Sequence, residues 1–270
     1  MARRIAVGNH KGGSGKTSAT RNFAAALAEH GKRVLLIDLD PQANLSRRVG
    51  AKFDPSKPTP TTAEVIKSAI EGVAAQAIKP CGWPEPYASR IDVISSRFDL
   101  ENRISEAGVV GAVLRLEQAL AGADDEHDFT LIDCPPSLGH LTQLALAASD
   151  WSLAIFEPEF DGVDGALRLK EFVEKDSNRK ALGNPDLRMI GYIVNRVRTN
   201  MGAHDDQIAA LPETFGADQV WTPYIPERAA DKDASDSEVP LRLVGTTAAK
   251  DQAALWATHA KRLIDLDGAA

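Results

Sequence analysis

The run Gly8-Asn9-His10-Lys11-Gly12-Gly13-Ser14-Gly15-Lys16-Thr17 constrains the fold more than any other stretch of the chain. A short apolar segment, residues 5–8, leads into it, and an Ala-rich amphipathic stretch, residues 17–30, follows at once. Strand, glycine-rich loop and helix in that order form a cradle for phosphate. Glycines let backbone N–H groups approach phosphate oxygens closely, and a helix N-terminus adds donors and a favourable dipole. In such a loop Lys16 reaches the β- and γ-phosphates and the Thr17 hydroxyl binds Mg²⁺. Gly12, Gly13, Ser14, Gly15 and Ser18 complete the nucleotide-binding surface. The strict Walker spacing wants a glycine at position 10, where this chain has His10, and a second lysine, Lys11, opens the loop. An ordinary glycine-rich turn is the competing reading, and the strand–loop–helix context argues against it.

Further apolar runs at 34–38, 91–95, 129–134, 151–156 and 189–195, and a short one near Val220, alternate with helical patterns. The longest of those patterns covers 100–121, and the last covers 246–266. Continuous apolar strands separated by helices imply a mostly parallel sheet covered on both faces. The expected fold is therefore α/β and doubly wound, a single domain over 1–270. Residues 54–90 read as a surface insertion around one helix at 62–72, because the stretch lacks a core of its own. Residues 227–240 read as a charged, mobile connection. The chain enters its first strand directly after Met1-Ala-Arg-Arg, so no targeting segment or extra N-terminal domain is expected.

Acids at strand tips supply the second ingredient of a phosphate site. The run Phe129-Thr-Leu-Ile-Asp133 is apolar and ends in an acid, and Pro135-Pro136 then turns the chain away. Such an acid helps to hold Mg²⁺; a capped turn is the alternative. The second strand ends in Asp38-Leu-Asp40-Pro41-Gln42. Alternation puts both carboxylates on one face of an extended segment, at the ligand end of a parallel sheet. One can orient an attacking water, and the other can support Mg²⁺ through water.

Together, Lys11-Gly-Gly-Ser-Gly-Lys-Thr17, Asp38-Leu-Asp40-Pro-Gln42 and Leu131-Ile-Asp133-Cys-Pro-Pro136 resemble the ParA/MinD/Soj group of deviant-Walker ATPases, and ParA-type partition ATPases most. The resemblance runs nearly end to end. Arg21-Asn-Phe-Ala24, Asp92-Val-Ile-Ser-Ser96, Gly191-Tyr-Ile-Val-Asn195-Arg196, Pro223-Tyr-Ile-Pro226 and Val239-Pro240 extend it, although a proline usual after the third strand is missing. It implies that Lys11 is the signature lysine that reaches a partner subunit's phosphates. It implies that Asp40 positions the hydrolytic water, that Asp38, Thr17 and Asp133 serve Mg²⁺, and that Asn195 and Pro226 meet adenine. It further implies a homodimer formed on ATP, nonspecific DNA binding, a centromere-binding ParB-type activator and a cytoplasmic, nucleoid-associated protein.

Charge limits the DNA expectation. The formal net charge is −7, so any polyanion must meet a local patch. Arg196 and Arg198 are the candidates, with a solvated loop as the competing reading and Asp205 and Asp206 close by. Arg47-Arg48 is a lesser candidate and reads rather as a helix surface. Other functions fit less well. Membrane cycling needs a basic amphipathic C-terminal helix, and the chain ends in the acidic Leu263-Ile-Asp-Leu-Asp-Gly-Ala-Ala. An iron–sulfur role needs paired cysteines, and Cys81 and Cys134 stand far apart. A ligase or kinase needs its own acid/base groups, and His127, His140 and His204 read as surface residues.

Overall fold

In the computed structural model, which describes residues 2–198 and 201–269, the apolar runs become strands of one sheet. These are β1 (Arg3–Gly8), β2 (Val34–Asp38), β3 (Lys79–Pro80), β4 (Ile91–Ile94), β5 (Phe129–Asp133), β6 (Trp151–Phe156), β7 (Arg188–Val194) and β8 (Val220–Trp221). Their order is β3-β4-β2-β5-β1-β6-β7-β8. The short β3 edge pairs antiparallel, and the other neighbours pair in parallel. The helices are α1 (Lys16–Glu29), α2 (Asn44–Arg48), α3 (Thr62–Ser68), α4 (Arg115–Leu120), α5 (His140–Ala147), α6 (Phe160–Glu174), α7 (Asp176–Ala181), α8 (Gly202–Phe215), α9 (Ala229–Asp236) and α10 (Thr247–Gly268).

The two-residue period of a strand sorts the core into two layers. Ile5 and Val7 of β1 and Val34 and Leu36 of β2 join Phe23, Leu27, Trp256 and Leu263 from α1 and α10. The alternate residues Ala6, Leu35 and Ile37 join Ile66, Leu116, Leu144, Leu169 and Phe215 on the opposite face. Helices therefore cover both faces, as the continuous apolar strands predict.

Register decides where the chemistry stands. Asp38 lies beside Asp133 across β2 and β5, and Val7 lies beside Asp133 across β1 and β5. The loop after β1 thus leaves the sheet level with both acids, at the carboxyl ends of the strands.

Three local expectations change. Residues 98–108 and 112–114 form 3₁₀ turns, and only Arg115–Leu120 is α-helical. Gly108 and Gly111, the latter at φ 76°, interrupt the helical pattern. The 54–90 stretch is built into the core: α3 buries Ala63, Val65 and Ile66 on one face of the sheet, and Cys81, Trp83 and Tyr87 are buried on the other. The charged stretch after Pro226 folds into α9, which is tied to α1. The fully buried Arg21 guanidinium donates to Asp231 Oδ1 at 2.7 Å and to Ser235 Oγ at 2.6 Å, and Asn22 Nδ2 donates to the same Asp231 oxygen at 2.9 Å.

Removing one partner of such a pair strands a charge away from water. Asp231→Ala is expected to lower stability by about 3 kcal/mol, and the apolar pair Arg21→Met with Asp231→Leu is expected to recover most of that loss. Urea midpoints measure both. A loss below about 1 kcal/mol would mean that the guanidinium is solvated without its partner. Among the described residues no helix is long and apolar enough to cross a membrane.

Candidate nucleotide site

The phosphate loop is shaped by two left-handed glycines, Gly13 at φ 81° and Gly15 at φ 82°. Gly15 is also held by close approach, since a Cβ there would stand 2.3 Å from Asn195 Nδ2. The first half of the loop rests on α6. Asn9 Nδ2 donates to the carbonyls of Ile155 at 2.8 Å and Gly162 at 3.2 Å. A Cβ on Gly165 would fall 2.2 Å from Asn9 Oδ1. Helix α6 therefore touches the loop through Gly162 and Gly165, one turn apart, and this packing orders the segment where His10 replaces the usual glycine.

Lys16 is buried, and its Nζ donates to the Lys11 carbonyl at 3.0 Å. Burial pulls its pKa down, and the Asp133 carboxylate pulls it up. A buried ammonium held by a single neutral carbonyl is short of anionic partners, which is the electrostatic state of a site that takes phosphate.

Thr17 Oγ1 donates to Asp133 Oδ2 at 2.7 Å, and Thr20 Oγ1 reaches the other Asp133 oxygen at 3.4 Å. Burial, and then the neighbouring Asp38, push the Asp133 carboxyl up to about 7; burial pushes Asp38 up to about 6. Two desolvated carboxylates side by side with a hydroxyl are an oxygen-only donor set that a small hard cation would relieve. Among the described residues no group of three or more His, Cys, Asp or Glu side chains could hold a metal. The set suits Mg²⁺, which binds through one or two carboxylates, substrate phosphates and water.

The two acids at the end of β2 part company, because β2 ends at Asp38 and the alternation stops there. Asp38 is fully buried and accepts from Ser46 N at 2.8 Å, Ser46 Oγ at 2.7 Å and Asp40 N at 3.2 Å. It organises the turn. Asp40 is half-buried, accepts from Gln42 N at 2.9 Å, and lines the phosphate cavity.

That cavity, about 160 Å³, is floored by Gly13 to Ser18 and walled by Asp40, Arg48 and Pro136. A second one, about 390 Å³, continues past Ser18 and is lined by Asn195, Pro226 and Gln252. Gln252 Nε2 donates to the Pro226 carbonyl at 3.4 Å. The residues expected around adenine thus line the second cavity, which shares Ser18, Arg48 and Arg196 with the first.

Lys11 stands apart from both cavities. Its exposed Nζ pairs with Asp161 Oδ2 at 2.6 Å, at the start of α6. The arginines expected on a DNA face are placed differently. Arg196, at φ 54°, folds back over the phosphate loop and donates to the Gly13 carbonyl at 2.6 Å and Glu157 Oε1 at 2.7 Å. Arg198 is exposed and pairs with Glu227 at 2.6 Å.

His127, His140 and His204, expected at the surface, are buried. His127 Nε2 bonds Asp92 Oδ2 at 2.9 Å, and His204 Nδ1 accepts from Arg198 N at 3.1 Å. The two cysteines lie in opposite core layers. Burial pushes the Cys81 thiol up to about 11 and raises that of Cys134 as well, so both stay protonated.

A family model for the AAA domain matches residues 2–189. The chromosome-partitioning ATPase Soj of Thermus thermophilus is 32% identical over 220 residues, covering 82% of this chain and 80% of that protein. The chain belongs to the ParA/MinD group of P-loop ATPases. Its activity is ATP hydrolysis. The ATP complex of Cyanothece McdA has the same fold as this ATPase, with a TM-score of 0.82 at 24% identity over 98% of this chain and 96% of that one. Cobyrinic acid a,c-diamide synthase of Mycobacterium smegmatis, solved with ADP and magnesium, has a TM-score of 0.75 at 28% identity over 98% and 94% of the two chains.

Proposed function

We propose that this ATPase is a partition switch. Mg-ATP joins two copies with both nucleotides buried between them, the dimer binds DNA without sequence preference, and a ParB-type centromere-binding protein stimulates hydrolysis and release. The cycle segregates plasmid or chromosomal DNA and keeps the protein at the nucleoid. A two-fold interface uses one patch on both copies, and ATP biases the monomer–dimer equilibrium because only the dimer completes the site.

The observation that carries this reading is the position of Lys11. Its carbonyl braces Lys16, while its ammonium sits on the outer rim, away from the phosphates of its own loop. From that rim it exchanges Asp161 for the phosphates of a second copy.

Within one subunit, Lys16 and the loop N–H groups hold the phosphates, and Ser18 lies toward the base. Asn195 and Pro226 receive adenine, and Asp40 orients the attacking water. Thr17 and Asp133 hold Mg²⁺, with Asp38 acting through water and through the turn it organises. When bound, Mg²⁺ would neutralise charge on the β- and γ-phosphate oxygens.

DNA contact falls to Arg198, doubled in the dimer and released from Glu227 by competing phosphates. Arg196 contributes only where it can leave the phosphate loop. With Asp40→Ala held in Mg-ATP, affinity for random-sequence DNA is expected to fall about 10-fold between roughly 50 and 200 mM salt, the slope for two phosphate contacts per dimer. Filter binding across a salt series measures it. A dimer that ignores DNA would move the cargo surface to a protein or a membrane.

A further inference from the structure

The two cavities of the site meet at a neck, and three residues line both sides of it: Ser18, Arg48 and Arg196. Arg48 ends α2 and is half-buried, with Nη1 3.4 Å from Ser18 Oγ. Among the described residues its guanidinium pairs with no acid. Its backbone is fixed by the 54–90 stretch: the Arg48 carbonyl accepts from the buried Trp83 Nε1 at 3.3 Å, and Gly82 N donates to the Val49 carbonyl at 2.8 Å. The backbones of Gly50 and Gly82 touch so closely that a Cβ on Gly82 would lie 2.4 Å from the Gly50 oxygen. A cation without an anionic partner, on a backbone locked to the core, and facing a cavity, is built to meet an anion there. Across the neck, Arg196 reaches over Gly13 and is neutralised by Glu157.

We propose that Arg48 and Arg196 clamp the nucleotide at the neck, where its α-phosphate and ribose pass from the phosphate cavity to the base cavity, with Arg48 supplying the uncompensated charge. Arg48 is thus a nucleotide-binding residue. It serves the part of the ligand that ATP and ADP share, whereas Lys16 serves the terminal phosphates. Arg196 exchanges its bond to the Gly13 carbonyl for the ligand and keeps Glu157 as the group that aims it. The 54–90 stretch gains a role as the buttress that holds Arg48 at the neck.

This inference rests on the nucleotide site described above, and the test separates the two. Calorimetric titration of the full chain with Mg-ADP and with the Mg complex of a non-hydrolysable ATP analogue gives both affinities for wild type, Arg48→Gln, Arg48→Lys and Arg196→Gln. Arg48→Gln is expected to weaken both ligands by a similar factor, about 10- to 100-fold, as for loss of a charge-assisted hydrogen bond. Arg48→Lys is expected to recover part of it, because a point charge replaces a fork. Arg196→Gln is expected to weaken both ligands less, since its charge is already shared with Glu157. Thermal melts of the ligand-free variants match wild type, because the side chain at the neck carries no core packing. Unchanged affinities in a folded Arg48→Gln would overturn the clamp alone. A loss confined to the ATP analogue would also overturn it, by assigning Arg48 to the γ-phosphate. Wild type failing to bind Mg-ADP would overturn the site and the clamp together.

Discussion

Lys16→Ala is expected to weaken Mg-ATP binding by roughly 30- to several-thousand-fold while leaving the ligand-free protein at least as stable as wild type. The two halves of that result come from one fact. The Lys16 ammonium is buried, its hydrogen bond goes to a neutral carbonyl, and burial already disfavours its charge. Without nucleotide the charge is a cost, so its removal does not harm the fold. With nucleotide it is the buried cation closest to the phosphates. Truncating one partner of a buried, hydrogen-bonded charge pair costs about 2–5 kcal/mol, or roughly 30- to several-thousand-fold in affinity. Titration calorimetry beside a thermal melt reads both. Tight ATP binding in a folded Lys16→Ala protein would remove the loop from the phosphate-binding role.

The second large effect separates binding from turnover. Asp40→Ala is expected to bind Mg-ATP within a few-fold of wild type and to hydrolyse it about 10²- to 10⁴-fold more slowly, the range for a positioned acid–base group. Asp40 suits that part because, of the two acids at the end of β2, it is the one that opens onto the phosphate cavity. Asp38 is consumed by the turn, accepting from Ser46 and from the Asp40 amide. Removing the Asp40 carboxylate therefore spares the loop that Asp38 holds. Single-turnover phosphate release measures the effect, and wild-type turnover would take Asp40 out of the mechanism.

The parts of this molecule that were legible in its sequence are those whose chemistry is local. The phosphate loop, the strand-end Asp133 and the strands β1, β2, β5 and β6 each declare themselves within about ten residues, because a buried parallel strand is a continuous apolar run. Parts that depend on register between distant segments were not legible. Arg48 looked like a helix surface because nothing near it in sequence shows that Trp83 and Gly82 lock it against the nucleotide cleft. Arg196 looked like a DNA contact because its partners, Gly13 and Glu157, are far away in the chain. The support of the loop by α6 did leave a trace. Gly162 and Gly165 recur at helical spacing, a pattern that marks a face approached closely by other backbone. The 98–114 region misled because its apolar spacing fits a helix while Gly108 and Gly111 break it.

In the proposed switch, ATP closes two copies face to face through Lys11. Sedimentation velocity of Asp40→Ala with Mg-ATP, with Mg-ADP, and with Lys11→Ala added tests it most directly. The expected result is a dimer with Mg-ATP, a monomer with Mg-ADP, and a return to monomer in the double variant although ATP still binds. A nucleotide-bound monomer in Mg-ATP, or a dimer indifferent to Lys11, would contradict it.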